Sequence, residues 1–358
     1  MRLQLERSGG TIDLGSLPLA RGGEAAIYAV PSSQAGGRTL VAKIYHQPDA
    51  VKARKLTAML DHQLAAEENG HHWLAWPLER LLKIGAKRAC VGYVMPMVNG
   101  ARPIHECYNP GLRRKYTPHF NYKYLLRTAK NLAGIVHRIH RHGYVIGDLN
   151  EGNILATPTA MITLVDCDSW QFSGHGEVFR CRVGRPEYTP PEIQGLSYGQ
   201  SDRRAEQDLF GLAVMVWRLL MCGTHPFDGK FVAHGDPPSV AQRIRSGLFP
   251  YAPNGRRLVV PSALAPPLRT LDNGIRNLML RCFVDGHQNP KLRPDGETWF
   301  HIIRAAESRL RICRRNPQHV FDAGLGVCPW CKLTERSGCD PFRAQPICRT
   351  AGRSVSCR

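Results

Sequence analysis

The chain has 358 residues, 43% of them hydrophobic, with 48 Lys and Arg against 29 Asp and Glu, a formal charge of +19. That length suggests about two domains and that composition a sizeable core. No charge-free stretch reaches the ~18 residues of a membrane span, the start Met-Arg-Leu-Gln-Leu-Glu has no secretory core, and twelve mostly scattered cysteines read as reduced thiols of a cytoplasmic protein.

Residues 3–14 alternate apolar and polar, predicting the first strand of a small β-rich lobe. Leu19 to Val30 reads as strand, glycine turn (Gly22-Gly23) and strand (through Ile27), and Leu40–Tyr45 as a β-branched strand with one lysine, Lys43. Ala50–Leu64 has helical spacing at Leu56, Met59, Leu60 and Leu64. Val91–Gly100 predicts a strand running into a connector, and 121–142 a long amphipathic helix.

The most informative stretch follows. Asp148-Leu-Asn-Glu-Gly-Asn153 leads into a short apolar strand, and a second strand, Met161–Val165, delivers Asp166 thirteen residues after Asn153. Two carboxylates and an amide thus converge from a loop and a strand end. Mg-nucleotide phosphoryl transfer needs such a set: one carboxylate to orient a hydroxyl, an amide and a carboxylate to hold a hard cation. Singly, each signal has a plainer explanation, a hairpin for the glycines, a solvated edge for the lysine, an Asx turn for Asp148 or Asn153. Their order carries the weight. Downstream come Gly184-Arg-Pro-Glu-Tyr-Thr-Pro-Pro-Glu192, the apolar helix Asp208–Leu220, Gly223-Thr-His-Pro-Phe227 and Arg293-Pro294.

This series, over about residues 10–308, resembles the protein kinases, and among them a bacterial group that joins a kinase domain to a Cys/His cluster and often to a helix-hairpin-helix DNA-binding tail. No such tail is recognisable here. The resemblance implies an α+β, two-lobed fold, with a β-rich lobe at about 10–98 and a larger helical lobe at about 101–308. It implies ATP and Mg²⁺ as cofactors. Gly22, Gly23 and Ile27 would then cover the nucleotide, Lys43 would bind its α/β-phosphates, and the Pro96 carbonyl and Val98 N–H would meet adenine. Asp148 would orient the acceptor hydroxyl and take its proton, and Asn153 and Asp166 would hold Mg²⁺. Glu192 with Arg293, and Asp208, would be structural. The implied activity is that of a Ser/Thr protein kinase acting on a protein substrate; the alternative is a nucleotide-binding pseudokinase that serves as an interaction module. A phosphatase and a von Willebrand-type domain protein are the partners the resemblance suggests.

Several positions depart from the family pattern. Ala20 and Ala25 replace two glycines of the phosphate loop, Ile146-Gly147 replace the His-Arg before the catalytic aspartate, and Cys167-Asp168 replace Phe-Gly. Asn150 stands where many kinases carry a lysine that stabilises transition-state charge, and Arg185 replaces a threonine. No glutamate lies between Lys43 and Glu67, leaving Asp61, Glu67 and Glu68 as candidate lysine partners. The metal set survives while accessory groups drift, which favours an active, divergent enzyme. With Gly147 offering no charge, activity is expected not to require phosphorylation of the segment from Asp166 to Glu192; Arg180, Arg182 and Arg185 are the nearby substitutes.

The tail reads differently. Cys313, His319 and the knuckle Cys328-Pro-Trp-Cys331 offer three thiolates and an imidazole to one Zn²⁺, with Cys339 as substitute should His319 not serve. A zinc-ribbon-like element is expected over 309–335, and a disordered basic tail over 336–358, which includes Cys348 and Cys357. Charge is uneven: residues 110–141 hold eight basic side chains and no acidic one, and 309–358 ten basic against three acidic. Such patches suit nucleic acid, acidic proteins or anionic surfaces, and equally a solvated basic face.

Overall fold

The computed structural model describes residues 1–343 except 63, 86–87, 254–257 and 264. Its amino-terminal part is a seven-stranded sheet in the order β2-β1-β8-β9-β5-β4-β3. The strands are β1 (Arg2–Leu5), β2 (Thr11–Asp13), β3 (Ala20–Arg21), β4 (Ala25–Ala29), β5 (Leu40–Tyr45), β8 (Glu79–Lys83) and β9 (Cys90–Pro96). The short hairpin β6 (Glu67–Glu68) and β7 (His71–His72) stands outside it.

Two expectations need correction here. Residues 3–14 form two strands, because Ser8-Gly9-Gly10 turns the chain: Gly9 adopts φ 70° and its N–H donates to the Leu5 carbonyl. The small lobe also starts at Arg2, not near residue 10, since β1 sits inside the sheet between β2 and β8.

Helix α1 (Ala50–Asp61) is started by Asp49, whose carboxylate accepts from the Lys52 N–H. It buries Leu56, Met59 and Leu60, and its Met59 carbonyl accepts from the Trp76 indole N–H.

The larger lobe follows β10 (Arg102–Pro103), α2 (Ile104–Tyr108) and α3 (Pro110–Tyr116). Its scaffold is α4 (Tyr122–Arg141), capped by Asn121 and basic in its last turn, where cations complement the exposed carbonyls. Leu125, Leu132, Val136 and Ile139 form its buried stripe. β11 (Ile154–Ala156) and β12 (Ile162–Leu164) pair antiparallel and present Asp148–Asn153 and Asp166 from one edge. Beyond them lie the hairpin β13 (Phe172–Gly174) and β14 (Glu177–Phe179), and α5 (Ala205–Leu220), which is buried along almost its whole length. β15 (Lys230–Phe231), α6 (Val240–Arg245), β16 (Val259–Val260), α7 (Asn273–Leu280), the one-turn α8 (Gly286–Gln288) and α9 (Gly296–Ser308) complete the lobe, α9 packing along α4.

The carboxy-terminal element is a hairpin, β17 (Leu310–Ile312) with β18 (Val320–Asp322), followed by α10 (Pro329–Ser337). It shares the core of the large lobe. Trp330 is fully buried, its ring 4.9 Å from Tyr122 and 4.8 Å from Phe342, and its indole N–H donates to the Val320 carbonyl. The expected disorder from 336 onward therefore fails at its start: α10 runs to Ser337, Arg113 donates to the Pro341 carbonyl, and Phe342 is buried under the Arg113 guanidinium. An aromatic ring and a buried cation supply docking energy that composition alone conceals. Cys348 and Cys357 lie outside the described residues.

Candidate active site

Lys43 hangs from the middle of β5, pairing across to Ile27 on β4 and Tyr93 on β9. Its ammonium reaches down to Asp166, and to Asp168 Oδ1 at 2.6 Å. Asp168 is the unforeseen member of this group. Its carboxylate, almost fully buried, also accepts from the Tyr93 and Tyr45 hydroxyls, each at 2.7 Å. Burial alone would push the Lys43 ammonium toward neutrality, but the charges of Asp168 and Asp166 outweigh it and hold its pKa above the ordinary lysine value. Burial works against the Asp168 charge in turn, and Lys43 overrides it, so its pKa lies below the usual carboxylate range.

None of the three acids proposed as the Lys43 partner is near it. Asp61 pairs with Arg7 and His175, Glu67 with His72, and Glu68 with Arg138. They lie at or beyond the end of α1, whose inward position is taken instead by Lys55, a buried cation whose burial depresses its pKa to about 8.

Asp166 sits in the left-handed region at φ 63°, a conformation that aspartate adopts more readily than most residues. Asp148 faces it from the catalytic-type loop. Asn153 donates to the Asp148 carbonyl at 3.0 Å, and Asn150 braces the turn, donating to that carbonyl and accepting from the Gly152 N–H at 2.8 Å. Asp148 Oδ1 is buried and has no partner among the described residues. An unpaired buried carboxylate oxygen is costly unless something else occupies it, and burial raises the Asp148 pKa, a shift opposed by the nearby Asn150 amide and the Arg185 charge. The residues thus fit an incoming hydroxyl at Asp148. The oxygen donors of Asn153 and Asp166 suit a hard cation.

The loop is held from behind. Asp208, at the start of α5, accepts from the Ile146 and Gly147 N–H groups, both at 2.7 Å, and meets His140 Nε2 at 2.9 Å. Gly147 has φ 73°, and a Cβ there would lie 2.7 Å from Cys181 Sγ, so no side chain fits. The cation that would have come from that position comes from elsewhere. Arg203, buried, donates to the Gly147 carbonyl at 2.9 Å and to the Val183 carbonyl at 3.0 Å, joining the loop directly to the segment opposite. Arg293 grips Glu192 through two parallel hydrogen bonds of 2.7 and 2.8 Å and also donates to the Gly286 and Glu206 carbonyls.

Gly22 and Gly23 form the turn between β3 and β4, closed by the Gly22 N–H donating to the Ala25 carbonyl at 2.9 Å. Pro96 ends β9, and the Val98 N–H has no acceptor among the described residues. These two residues line a cavity of about 640 Å³ with Leu40, Leu64, Trp76 and Thr163. Lys43, Asp148 and Asp166 do not line that cavity.

Far from this cleft, Cys313, His319, Cys328 and Cys331 bring their ligand atoms within 4.8 Å of one another. Cys313 Sγ and Cys331 Sγ are 3.7 Å apart, and His319 Nδ1 is 3.6 and 3.4 Å from Cys328 Sγ and Cys331 Sγ. These are close to the edges of a tetrahedron built on metal–sulfur bonds of about 2.3 Å. The other ring nitrogen of His319 meets Asp340 Oδ1 at 2.8 Å, an arrangement that orients a ligating imidazole. Cys339, the substitute ligand, is exposed and outside the cluster.

With this geometry in view, comparison with known proteins is decisive. The chain is 32% identical over 318 residues, 88% of its length, to "Protein kinase YegI" of Escherichia coli, in both strain K12 and O157:H7. The chain is a divergent bacterial protein kinase homologue. It spans about half the length of these curated relatives, 48%. A shorter stretch, 129 residues and 35% of the chain, is 31% identical to "Calcium-dependent protein kinase 14" of Arabidopsis thaliana. Among solved structures, the ROP18 kinase domain in complex with AMP-PNP and sucrose superposes with a TM-score of 0.54 at 14% identity, over 85% of this chain and 83% of that one. That likeness establishes the two-lobed kinase fold. No protein-family model matches the chain. Among the described residues, no helix is long and apolar enough to cross a membrane.

Proposed function

We propose that this kinase homologue is an ATP- and Mg²⁺-dependent phosphotransferase acting on a serine or threonine hydroxyl of a protein. The observation that carries the reading is the buried, unpartnered Oδ1 of Asp148 beside the Asn153–Asp166 donor set, with Lys43 above it. Asp148 accepts the proton of the acceptor hydroxyl. Asn153 and Asp166 hold the magnesium, which neutralises phosphate charge when bound. Lys43 meets the phosphates from the sheet, and the turn at Gly22–Gly23 covers them. Adenine contacts fall to Pro96 and Val98. At the far end, Cys313, His319, Cys328 and Cys331 hold one structural Zn²⁺, all four positions being filled by protein. By the same reading the protein is cytoplasmic.

Titrating Mg-ATP calorimetrically into the wild type and Asp166→Asn tests the nucleotide site. Metal-dependent binding that the variant loses supports it; equal affinities contradict it. Label from γ-labelled ATP recovered on serine or threonine supports the acceptor class, and label on tyrosine contradicts it. Mg-ATP binding with no transfer to any acceptor would leave the pseudokinase reading standing.

A further inference from the structure

Position 150 supplies no charge. Asn150 is buried, and both ends of its amide are spent on the loop, at the Asp148 carbonyl and the Gly152 N–H. A phosphoryl group in transfer nevertheless spreads negative charge over its equatorial oxygens, and a cation placed there is among the largest contributions a protein makes to this chemistry.

The neighbouring cations are mostly committed. Lys43 is bound to two carboxylates, Arg203 to two carbonyls, and Arg218 to Glu151 and the Tyr188 hydroxyl. Arg185 is different. Its guanidinium has no hydrogen-bond or ion-pair partner among the described residues and lies directly over the loop: a Cβ built on Gly152 would be 3.0 Å from Arg185 Nη2. A Cβ at 152 would crowd the guanidinium by a few tenths of an ångström. Its backbone is fixed, since the Arg185 carbonyl accepts from the Tyr188 N–H at 2.9 Å and the Thr189 hydroxyl at 2.8 Å. Its charge also reaches Asp148, whose pKa it draws downward against burial.

We propose that Arg185 is a catalytic residue of this site, its guanidinium contacting the transferred phosphoryl group from the activation segment in place of the cation that Asn150 cannot provide. The inference rests on the phosphotransferase reading. In the step, the bond between the γ-phosphorus and the β,γ-bridging oxygen breaks, a bond from the acceptor oxygen to that phosphorus forms, the acceptor proton passes to Asp148, and ADP leaves. Arg185 gains and loses no proton. It binds oxygens whose charge is greatest midway. A planar guanidinium suits this, because two parallel N–H groups can address two oxygens of one phosphoryl group.

The arrangement exchanges two residues together. In the kinase pattern that this chain resembles, a lysine and a threonine stand where Asn150 and Arg185 stand here, so the cation would come from the activation segment instead of the loop. Arg185 also borders a hollow of about 290 Å³ with Glu151, Glu187, Tyr188, Arg218 and His225. A role in holding the acceptor chain is therefore the competing explanation, and kinetics separates the two.

Initial rates of γ-phosphate transfer should be measured for the full chain, Arg185→Met, Arg185→Lys and the double variant Asn150→Lys/Arg185→Thr, with Mg-ATP affinity measured in parallel as a check on folding. The proposal predicts that Arg185→Met lowers kcat by about 10²-fold or more, with Mg-ATP affinity and acceptor KM within about twofold of wild type. Arg185→Lys retains part of the rate, and the double variant recovers at least tenfold over Arg185→Met. An Arg185→Met kcat within twofold of wild type, or a loss confined to acceptor KM, overturns the proposal while leaving the phosphotransferase reading intact. A wild-type chain that binds Mg-ATP but transfers nothing overturns both.

Discussion

Asp168 holds Lys43 from the activation-segment side, at 2.6 Å, with no carboxylate on α1 taking part. The kinase resemblance leads one to seek that carboxylate on the helix after the lysine strand. Here the lysine is positioned by a residue two places beyond Asp166, and α1 instead brings in Lys55. α1 still packs against the turn Cys167–Ser169 that carries Asp168, so it supports this lysine through that turn and not through a carboxylate of its own.

Asp168→Ala should destabilise the protein by about 1–3 kcal/mol, because the buried Tyr45 and Tyr93 hydroxyls lose their acceptor while Lys43 keeps only Asp166, and raise the KM for Mg-ATP. Chemical denaturation and initial rates check both. Glu67→Gln and Glu68→Gln, which touch exposed pairs, should change stability by less than about 1 kcal/mol. Equal effects from all three would remove Asp168 from its place.

Lys55 gives a pH signature. Its pKa is depressed by burial to about 8 from an ordinary 10.5, so below pH 8 it is charged in both states and the folded protein bears the cost of burying it. Between pH 8 and 10.5 the unfolded chain binds the extra proton, and stability rises with pH. Lys55→Met should therefore be more stable than wild type at pH 7, by up to about 3 kcal/mol, and the gap should shrink as the pH approaches 10. Denaturant midpoints of both proteins across that range measure it; a gap that does not change with pH would mean that Lys55 keeps an ordinary lysine pKa in the folded protein.

Loop phosphorylation should be dispensable, because Arg203 already joins the Gly147 and Val183 carbonyls without a phosphate. Phosphatase treatment, checked by intact mass, should leave the initial rate within about twofold. Arg203→Met should lower it at least tenfold, since removing a buried guanidinium leaves both carbonyls unpaired. A large loss on phosphatase treatment would show that Arg180, Arg182 or Arg185 reads a phosphate.

Elemental analysis should find about one zinc per chain. Cys331→Ser should lose the metal and expose the Trp330–Phe342 contact, read as a change in tryptophan fluorescence and faster proteolysis near α10. Full protection without metal would refute a structural zinc.

How much of this was legible in the sequence depends on the range of the interaction. Asp148, Asn153 and Asp166 lie on adjoining loop and strand segments, so spacing was enough to bring them together as candidates. The Cys/His quartet was readable for the same reason: Cys328 and Cys331 flank one turn, and a two-strand hairpin returns Cys313 and His319 to it. The Glu192–Arg293 and Asp208 contacts span longer separations and were reachable only through the resemblance. Asp168 was missed because a fixed template directs attention to α1, although an acid two residues after Asp166, with no glutamate upstream, was a usable signal. Arg203 and the docking of Phe342 had no local signal. Each depends on which backbone carbonyls or aromatic faces the folded chain happens to present, and neither periodicity nor spacing encodes that.

The most direct measurement is the initial rate of γ-phosphate transfer by wild type and Asp148→Asn at saturating Mg-ATP, with nucleotide affinity measured on the same samples. Loss of the proposed proton acceptor should reduce kcat by about 10²–10⁴-fold, while Mg-ATP affinity stays within about twofold, because the proposed role of Asp148 is toward the acceptor and not the nucleotide. Equal rates in the two proteins would contradict the account.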